Sequence, residues 1–143
     1  MLSEPQVFEF LGAPINKDKL DEELILFPQV AYAIAQYAKD AKLAKVEAKK
    51  EFDSTLVRAA KDTREEALKS GTKLTEAAIA EKAKTSPDHE KAVKAYQEAE
   101  ARFIAIDALT ESLDARESSY KLLVSLFNSS YWVANTDDRV RNG

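Results

Sequence analysis

The sequence predicts an all-α protein in which two long antiparallel helices form a coiled-coil-like hairpin with a short connecting helix. The 143 residues suit one domain, and 3 glycines and 4 prolines leave few turns for a β-sandwich or barrel. Two stretches place apolar residues at alternating steps of three and four, which keeps a stripe on one face of a supercoiled helix. The first stripe comprises Val30, Ile34, Tyr37, Ala41, Ala44, Ala48 and Phe52. The second comprises Tyr96, Ala99, Phe103, Ile106, Thr110, Leu113, Glu117, Tyr120, Val124, Phe127 and Tyr131. One helix pair offers little core for this length, so we expect assembly beyond a dimer.

The first 28 residues are predicted to be an N-terminal arm with a short helix. Pro5, Gly12 and Pro14 make residues 1–16 irregular, and this apolar segment either packs on a neighbouring helix or subunit or is disordered. A short helix is expected from about residue 18 or 21, where acidic side chains suit a helix N-terminus. Pro28 either interrupts this helix or starts the long one, because proline is tolerated in a first turn.

The hairpin core is predicted to span residues 29–134. Its first long helix runs over about 29–69, with Gly71 in the C-cap arrangement. Thr75 is a good N-cap for a short helix over about 76–84. Ser86-Pro87-Asp88 is a stronger start signal, with an N-cap, a proline in the first turn and an acid, for a helix that continues to about Val133. Residues 135–138 are expected to end it, and residues 135–143 to form a mobile tail.

Composition gives few hints of chemistry. The net charge of −4 is not a global nucleic-acid signature, and the absence of cysteine excludes disulfides and Cys-ligated metals. No apolar run approaches the ~18 residues that span a bilayer, and the N-terminus does not resemble a signal peptide, so we expect a cytoplasmic protein without a membrane partner. His89 is expected to be an exposed polar residue. No catalytic constellation, metal set or phosphate loop can be assembled, which predicts a protein that is not an enzyme and needs no cofactor.

A cluster of basic residues on the first long helix is the remaining functional signal. Lys42, Lys45 and Lys49 follow steps of three and four, a row of cations about 10 Å long. Four further cations precede the connector: Arg58, Lys61, Arg64 and Lys69. Repeated around a ring, the row would give a continuous electropositive track for a nucleic-acid strand. The alternative is the solvated face of a helix, paired with Glu47 and Asp53. Phe127 and Tyr131-Trp132 could stack on bases, but burial in the helix pair or in a subunit contact is the favoured interpretation.

The connector and the start of the last helix resemble one family. The stretch Gly71-Thr72-Lys73-Leu74-Thr75-Glu76-Ala77-Ala78-Ile79, followed by Ser86-Pro87-Asp88, resembles the UvsY-like phage recombination mediators. Arg116 with Leu123 and Leu126 could fill the place of an Arg followed by Leu-x-x-Leu in that family. The resemblance covers roughly residues 30–132. It departs from the family pattern in the N-terminal arm and at Glu117-Ser118-Ser119.

The resemblance implies a ring-shaped homo-oligomer that binds single-stranded DNA in the cytoplasm of a phage-infected bacterium. Such a protein would help to load a RecA-like recombinase onto strands coated by single-strand-binding protein. The family contacts DNA through basic residues of the first long helix, which here are Arg58, Lys61, Arg64 and Lys69, with Lys42, Lys45 and Lys49 upstream. The alternative function is a coiled-coil scaffold or assembly chaperone without a nucleic-acid role.

Overall fold

The protein is all-α throughout the described part of the chain, which in this computed structural model comprises the backbone of residues 1–141 and the side chains of residues 1–129. Helix α1 spans Glu4–Gly12, and a 3₁₀ turn covers Lys17–Lys19. The long helix α2 spans Leu20–Ser70. The short helix α3 spans Glu76–Lys84, and the second long helix α4 spans Pro87–Arg141. The predicted all-α class is confirmed.

The connector between the long helices is fixed by capping, as the sequence predicts. Gly71 has φ +69°, the left-handed conformation that glycine adopts without strain. Thr72 N donates to Ala67 O at 3.0 Å and Gly71 N to Leu68 O at 3.4 Å, the paired bonds of a Schellman C-cap. The Thr75 hydroxyl accepts from Ala78 N at 3.1 Å and begins α3. The predicted bounds of α3 and the start of α4 at Pro87 are therefore confirmed.

The N-terminal segment is more regular than predicted. Residues 4–12 form a helix, because Ser3 and Gln6 make a reciprocal capping box, with Ser3 N donating to Gln6 Oε1 at 2.8 Å and Gln6 N to the Ser3 hydroxyl at 3.4 Å. Pro28 neither interrupts nor starts a helix but lies inside α2. An internal proline costs about 3 kcal/mol, which the complete burial of Val30, two residues further on, helps to offset.

The C-terminal end of α4 also differs from the prediction. The helix continues through residues 135–138 to Arg141, because that stretch contains neither glycine nor proline to stop it. The tail predicted at 135–143 is therefore helical as far as Arg141, and its last two residues lie outside the described part. The predicted aromatic pair Tyr131-Trp132 lies outside the described side chains.

Contacts within the chain group into two compact units. One comprises Met1–Ile34 and Ala108–Gly143, and the other comprises Ala35–Asp107. We call them the terminal unit and the central unit. In the central unit α2 packs on α4, with Phe52 contacting Tyr96 at a ring-centroid distance of 5.7 Å. In the terminal unit the ring of Phe27 meets Tyr120 edge-on at 5.3 Å. The division into arm, hairpin core and tail stays a prediction.

The first apolar stripe was misplaced by one residue in its middle. Val30, Ile34 and Ala41 are buried as predicted, but Ala44 is exposed and the neighbouring Lys45 is half-buried instead. The stripe therefore passes through Lys45, whose aliphatic stem can cover apolar surface while its ammonium reaches water. The stripe then continues beyond Phe52 to the buried Thr55 and Ala59. The predicted place of Ala44 in a buried stripe is therefore wrong within this chain.

The second stripe is largely in place. Ile106 and Tyr120 are buried, whereas Glu117, Val124 and Phe127 are exposed. The half-buried members are Tyr96, Ala99, Phe103, Thr110 and Leu113. Tyr131 lies outside the described side chains.

Candidate nucleic-acid interface

A shallow groove in the central unit gathers lysines around aromatic rings. Its volume is about 360 Å³, and we call it the lysine groove. The lining residues are Lys42, Lys45, Val46, Lys49, Lys50, Asp53, Tyr96 and Phe103. Six of these come from about three successive turns of α2, and the two rings come from α4. All three lysines of the row predicted from the sequence therefore meet at one site.

Two of the lysines lie directly over the rings. Lys45 Nζ is 4.7 Å from the centroid of Phe103. Lys49 Nζ is 4.5 Å from the centroid of Phe52 and 5.6 Å from that of Tyr96. Such contacts contribute about 0.5–1 kcal/mol at exposed sites, so they hold the ammonium groups in place without preventing them from meeting an anion. Lys49 also pairs with Asp53 at 3.3 Å, an exposed i,i+4 pair of small energetic value.

The other four predicted cations do not line this groove. Arg58 pairs with Glu51 at 3.0 Å and Arg64 with Glu76 at 2.7 Å, both on exposed surface. Lys61 and Lys69 are exposed and make no ion pair with any described residue. Lys69 borders a separate shallow groove next to the connector. Since surface pairs are weak, Arg58 and Arg64 remain able to exchange a carboxylate for a phosphate.

His89 is buried, not exposed as predicted. Only 3% of its surface is accessible, and its Nδ1 is 3.1 Å from the hydroxyl oxygen of Thr55. That hydroxyl also lies within donating distance of the Glu51 and Phe52 carbonyls, at 2.9 and 3.1 Å. When its proton goes to one of them its oxygen accepts from Nδ1–H, and when its proton goes to Nδ1 the imidazole nitrogen is the acceptor. The sequence signal was present, because His89 precedes Tyr96 by one heptad and continues the second stripe.

Arg116 is also buried, with 8% of its surface accessible in the terminal unit. Its guanidinium donates to Glu23 Oε1 at 2.5 Å, to Ala13 O at 2.8 Å and to the Tyr120 hydroxyl at 2.8 Å. It also lies 4.5 Å from the centroid of Phe10. Burial raises the pKa of the Tyr120 phenol above its ordinary value, although Arg116 opposes the shift. Arg116 thus connects α1, α2 and α4, and these contacts give it a structural role.

Two further features are absent from the residues that the structure describes. No cluster of three or more His, Cys, Asp or Glu side chains there could hold a metal ion. No helix in the same part of the chain has the length and apolar character to cross a membrane.

No protein-family model, curated protein or solved structure matches this chain.

Proposed function

We propose that the protein is a non-enzymatic, single-stranded-DNA-binding recombination mediator. The observation that carries the DNA-binding part is the lysine groove, which combines four cations with the rings of Tyr96 and Phe103. Proteins that bind single strands without sequence preference combine a positive groove with aromatic side chains on which bases stack. Duplex DNA does not present free base faces, so we expect single strands to bind more tightly than duplex.

The architecture that supports this function is the antiparallel hairpin. Contacts in the central unit pair Lys45 with Phe103 and Thr55 with His89, so positions later on α2 meet positions earlier on α4. Exposed apolar side chains such as Val57 and Leu68 favour the predicted homo-oligomer. A ring would place copies of the lysine groove along one strand and multiply its few phosphate contacts.

The recombination role rests on the connector motif. On that motif we propose that the protein helps to load a RecA-like recombinase onto DNA coated by single-strand-binding protein, in the cytoplasm of a phage-infected bacterium. A scaffold or assembly chaperone without nucleic-acid binding is the second candidate, favoured by the net charge of −4 and by the exposed apolar side chains.

Salt-dependent binding of a labelled oligothymidylate tests the DNA-binding proposal. The variant replaces Lys42, Lys45 and Lys49 with alanine, which preserves helicity because alanine is the best helix former. If all three contact phosphates, the slope of log K against log salt should fall by about 2, at about 0.7 per contact on single strands.

A matched control removes three exposed lysines outside the groove, with Lys73, Lys91 and Lys94 changed to alanine. It carries the same net charge, so binding close to that of the parent would assign the effect to the groove. Equal affinity and equal salt slope in the parent and the groove variant would reject DNA binding at the groove and favour the scaffold function.

The second cluster is a predicted extension of this site. Replacing Arg58, Lys61 and Arg64 together with alanine should weaken binding and lower the salt slope if the strand continues along α2. An unchanged slope in this variant would confine the site to the lysine groove.

A further inference from the structure

The two rings of the lysine groove are covered by the groove's own cations. Lys45 Nζ lies over Phe103, 4.7 Å from the ring centroid, and Lys49 Nζ lies 5.6 Å from the centroid of Tyr96. Both rings are half-buried and line the same groove as the two lysines, so the covered faces are turned towards the groove. Stacked rings lie with their centroids about 4.5–7 Å apart, which is the distance that these ammonium groups already occupy. A base and an ammonium therefore cannot share one ring face.

Of the two covering lysines, Lys45 is held less firmly. Lys49 also lies 4.5 Å from the centroid of Phe52 and pairs with Asp53 at 3.3 Å. The positions three and four residues from Lys45 on α2 hold two alanines and two lysines, so its own helix offers it no carboxylate. The two lysines at those positions, Lys42 and Lys49, repel its charge instead. Lys45 is therefore the covering lysine that a phosphate attracts most readily.

Moving the Lys45 ammonium from the ring to a phosphate uncovers the face of Phe103. The ammonium is carried on a flexible four-carbon stem, so its tip can move while the helix stays in place. The cation–π contact that is lost weakens binding by about 2–5-fold. A base that stacks on the uncovered face strengthens binding by about 5-fold or more. A polyanion without bases loses the first contact and gains nothing on the ring.

We propose that Phe103 is a base-stacking residue whose face Lys45 covers until a phosphate draws the ammonium away. The lysine groove thereby selects a ligand that carries a phosphate and an unpaired planar base in neighbouring positions, and it discriminates against base-free polyanions. This inference rests on the proposed DNA-binding function and narrows it, because charge alone would bind any polyanion. The two side chains have separate roles, in which Lys45 recognises the phosphate and Phe103 recognises the base.

The test compares two labelled ligands with the same number of phosphates, an oligothymidylate and an oligomer of abasic tetrahydrofuran phosphates, by fluorescence anisotropy at low salt. The parent should bind the oligothymidylate about 5-fold or more tightly than the abasic oligomer. Phe103→Leu keeps an apolar side chain at this half-buried position and should weaken oligothymidylate binding by about 5-fold or more. The same variant should bind the abasic oligomer about 2–5-fold more tightly than the parent, because Lys45 no longer has to leave a ring.

Two further variants separate stacking from folding. Phe103→Tyr retains a ring, so it should retain the preference for the oligothymidylate. Phe27→Leu is the matched control, since it removes a half-buried ring from the terminal unit and should change neither affinity. Equal weakening of both ligands by Phe103→Leu, or no gain for the abasic oligomer, would overturn the proposal.

The parent alone distinguishes this inference from the proposed function. If the parent binds both oligomers equally, base stacking on Phe103 is wrong and phosphate binding by the lysine groove stands. If it binds neither oligomer, the proposed DNA-binding function is wrong and this inference fails with it.

Discussion

Replacing Arg116 with methionine should destabilise the protein severely. The guanidinium makes three hydrogen bonds, to Glu23, Ala13 and Tyr120, and covers the ring of Phe10. Methionine fills similar apolar volume but donates nothing. The Glu23 side chain is only 15% accessible and its Oε2 is buried with no hydrogen-bond partner among the described residues, so the substitution leaves a carboxylate with no compensation.

Breaking a buried ion pair on one side costs about 3–5 kcal/mol, a large part of the ~5–15 kcal/mol that stabilises a typical domain. We expect the urea midpoint of Arg116→Met to fall accordingly in equilibrium unfolding followed by circular dichroism. The double variant with Glu23→Leu should regain most of this loss, because replacing both charges by apolar groups is often neutral. Recovery should be incomplete, since the Ala13 carbonyl still lacks its donor. A loss below about 1 kcal/mol, or a double variant no better than the single one, would refute the reasoning.

Three other perturbations have defined outcomes. Ala41→Glu should lower the free energy of unfolding by several kcal/mol, because it places a carboxylate at a buried position. Ala44→Glu, at an exposed position, should change it by less than about 0.5 kcal/mol. Equal melting temperatures of the two variants would show that the stripe does not pass through Ala41. Thr55→Val should cost about 1–3 kcal/mol in urea unfolding, since the buried Nδ1 of His89 loses its hydrogen-bond partner; an unchanged midpoint would argue against this bond. The pKa of Tyr120 is raised by burial, so its contribution to stability is complete below the unfolded pKa of about 10 and is lost as pH rises through the folded pKa. The parent should therefore lose more unfolding free energy than Tyr120→Phe as the pH rises above about 10, and parallel pH profiles of the two would contradict this.

Local signals made the connector predictable. Gly71, Thr75 and the Ser86-Pro87 pair each act on neighbouring backbone groups, and the structure follows them. The capping box at Ser3 is an equally local signal that the prediction missed, because that prediction rested on the surrounding prolines and Gly12.

Long-range packing was less predictable. The choice between Ala44 and Lys45 as the buried position depends on the rings supplied by α4, because only a facing aromatic gives the stem of Lys45 a surface to cover. For the same reason the sequence identified the lysine row but not the role of Tyr96 and Phe103 beside it. The structural role of Arg116 could not be predicted, because its partners Ala13 and Glu23 are distant in the sequence.

The burial of the one histidine gives the chain an intrinsic spectroscopic reporter. His89 lies where α2 meets α4, and no other imidazole contributes resonances to a nuclear magnetic resonance spectrum. The ring of Phe52, with its centroid 4.9 Å away, shifts those resonances by its ring current as long as the two helices stay in contact. Titrating an oligonucleotide into the unlabelled protein would then show, from a single imidazole proton, whether the helices separate when a ligand occupies the neighbouring groove.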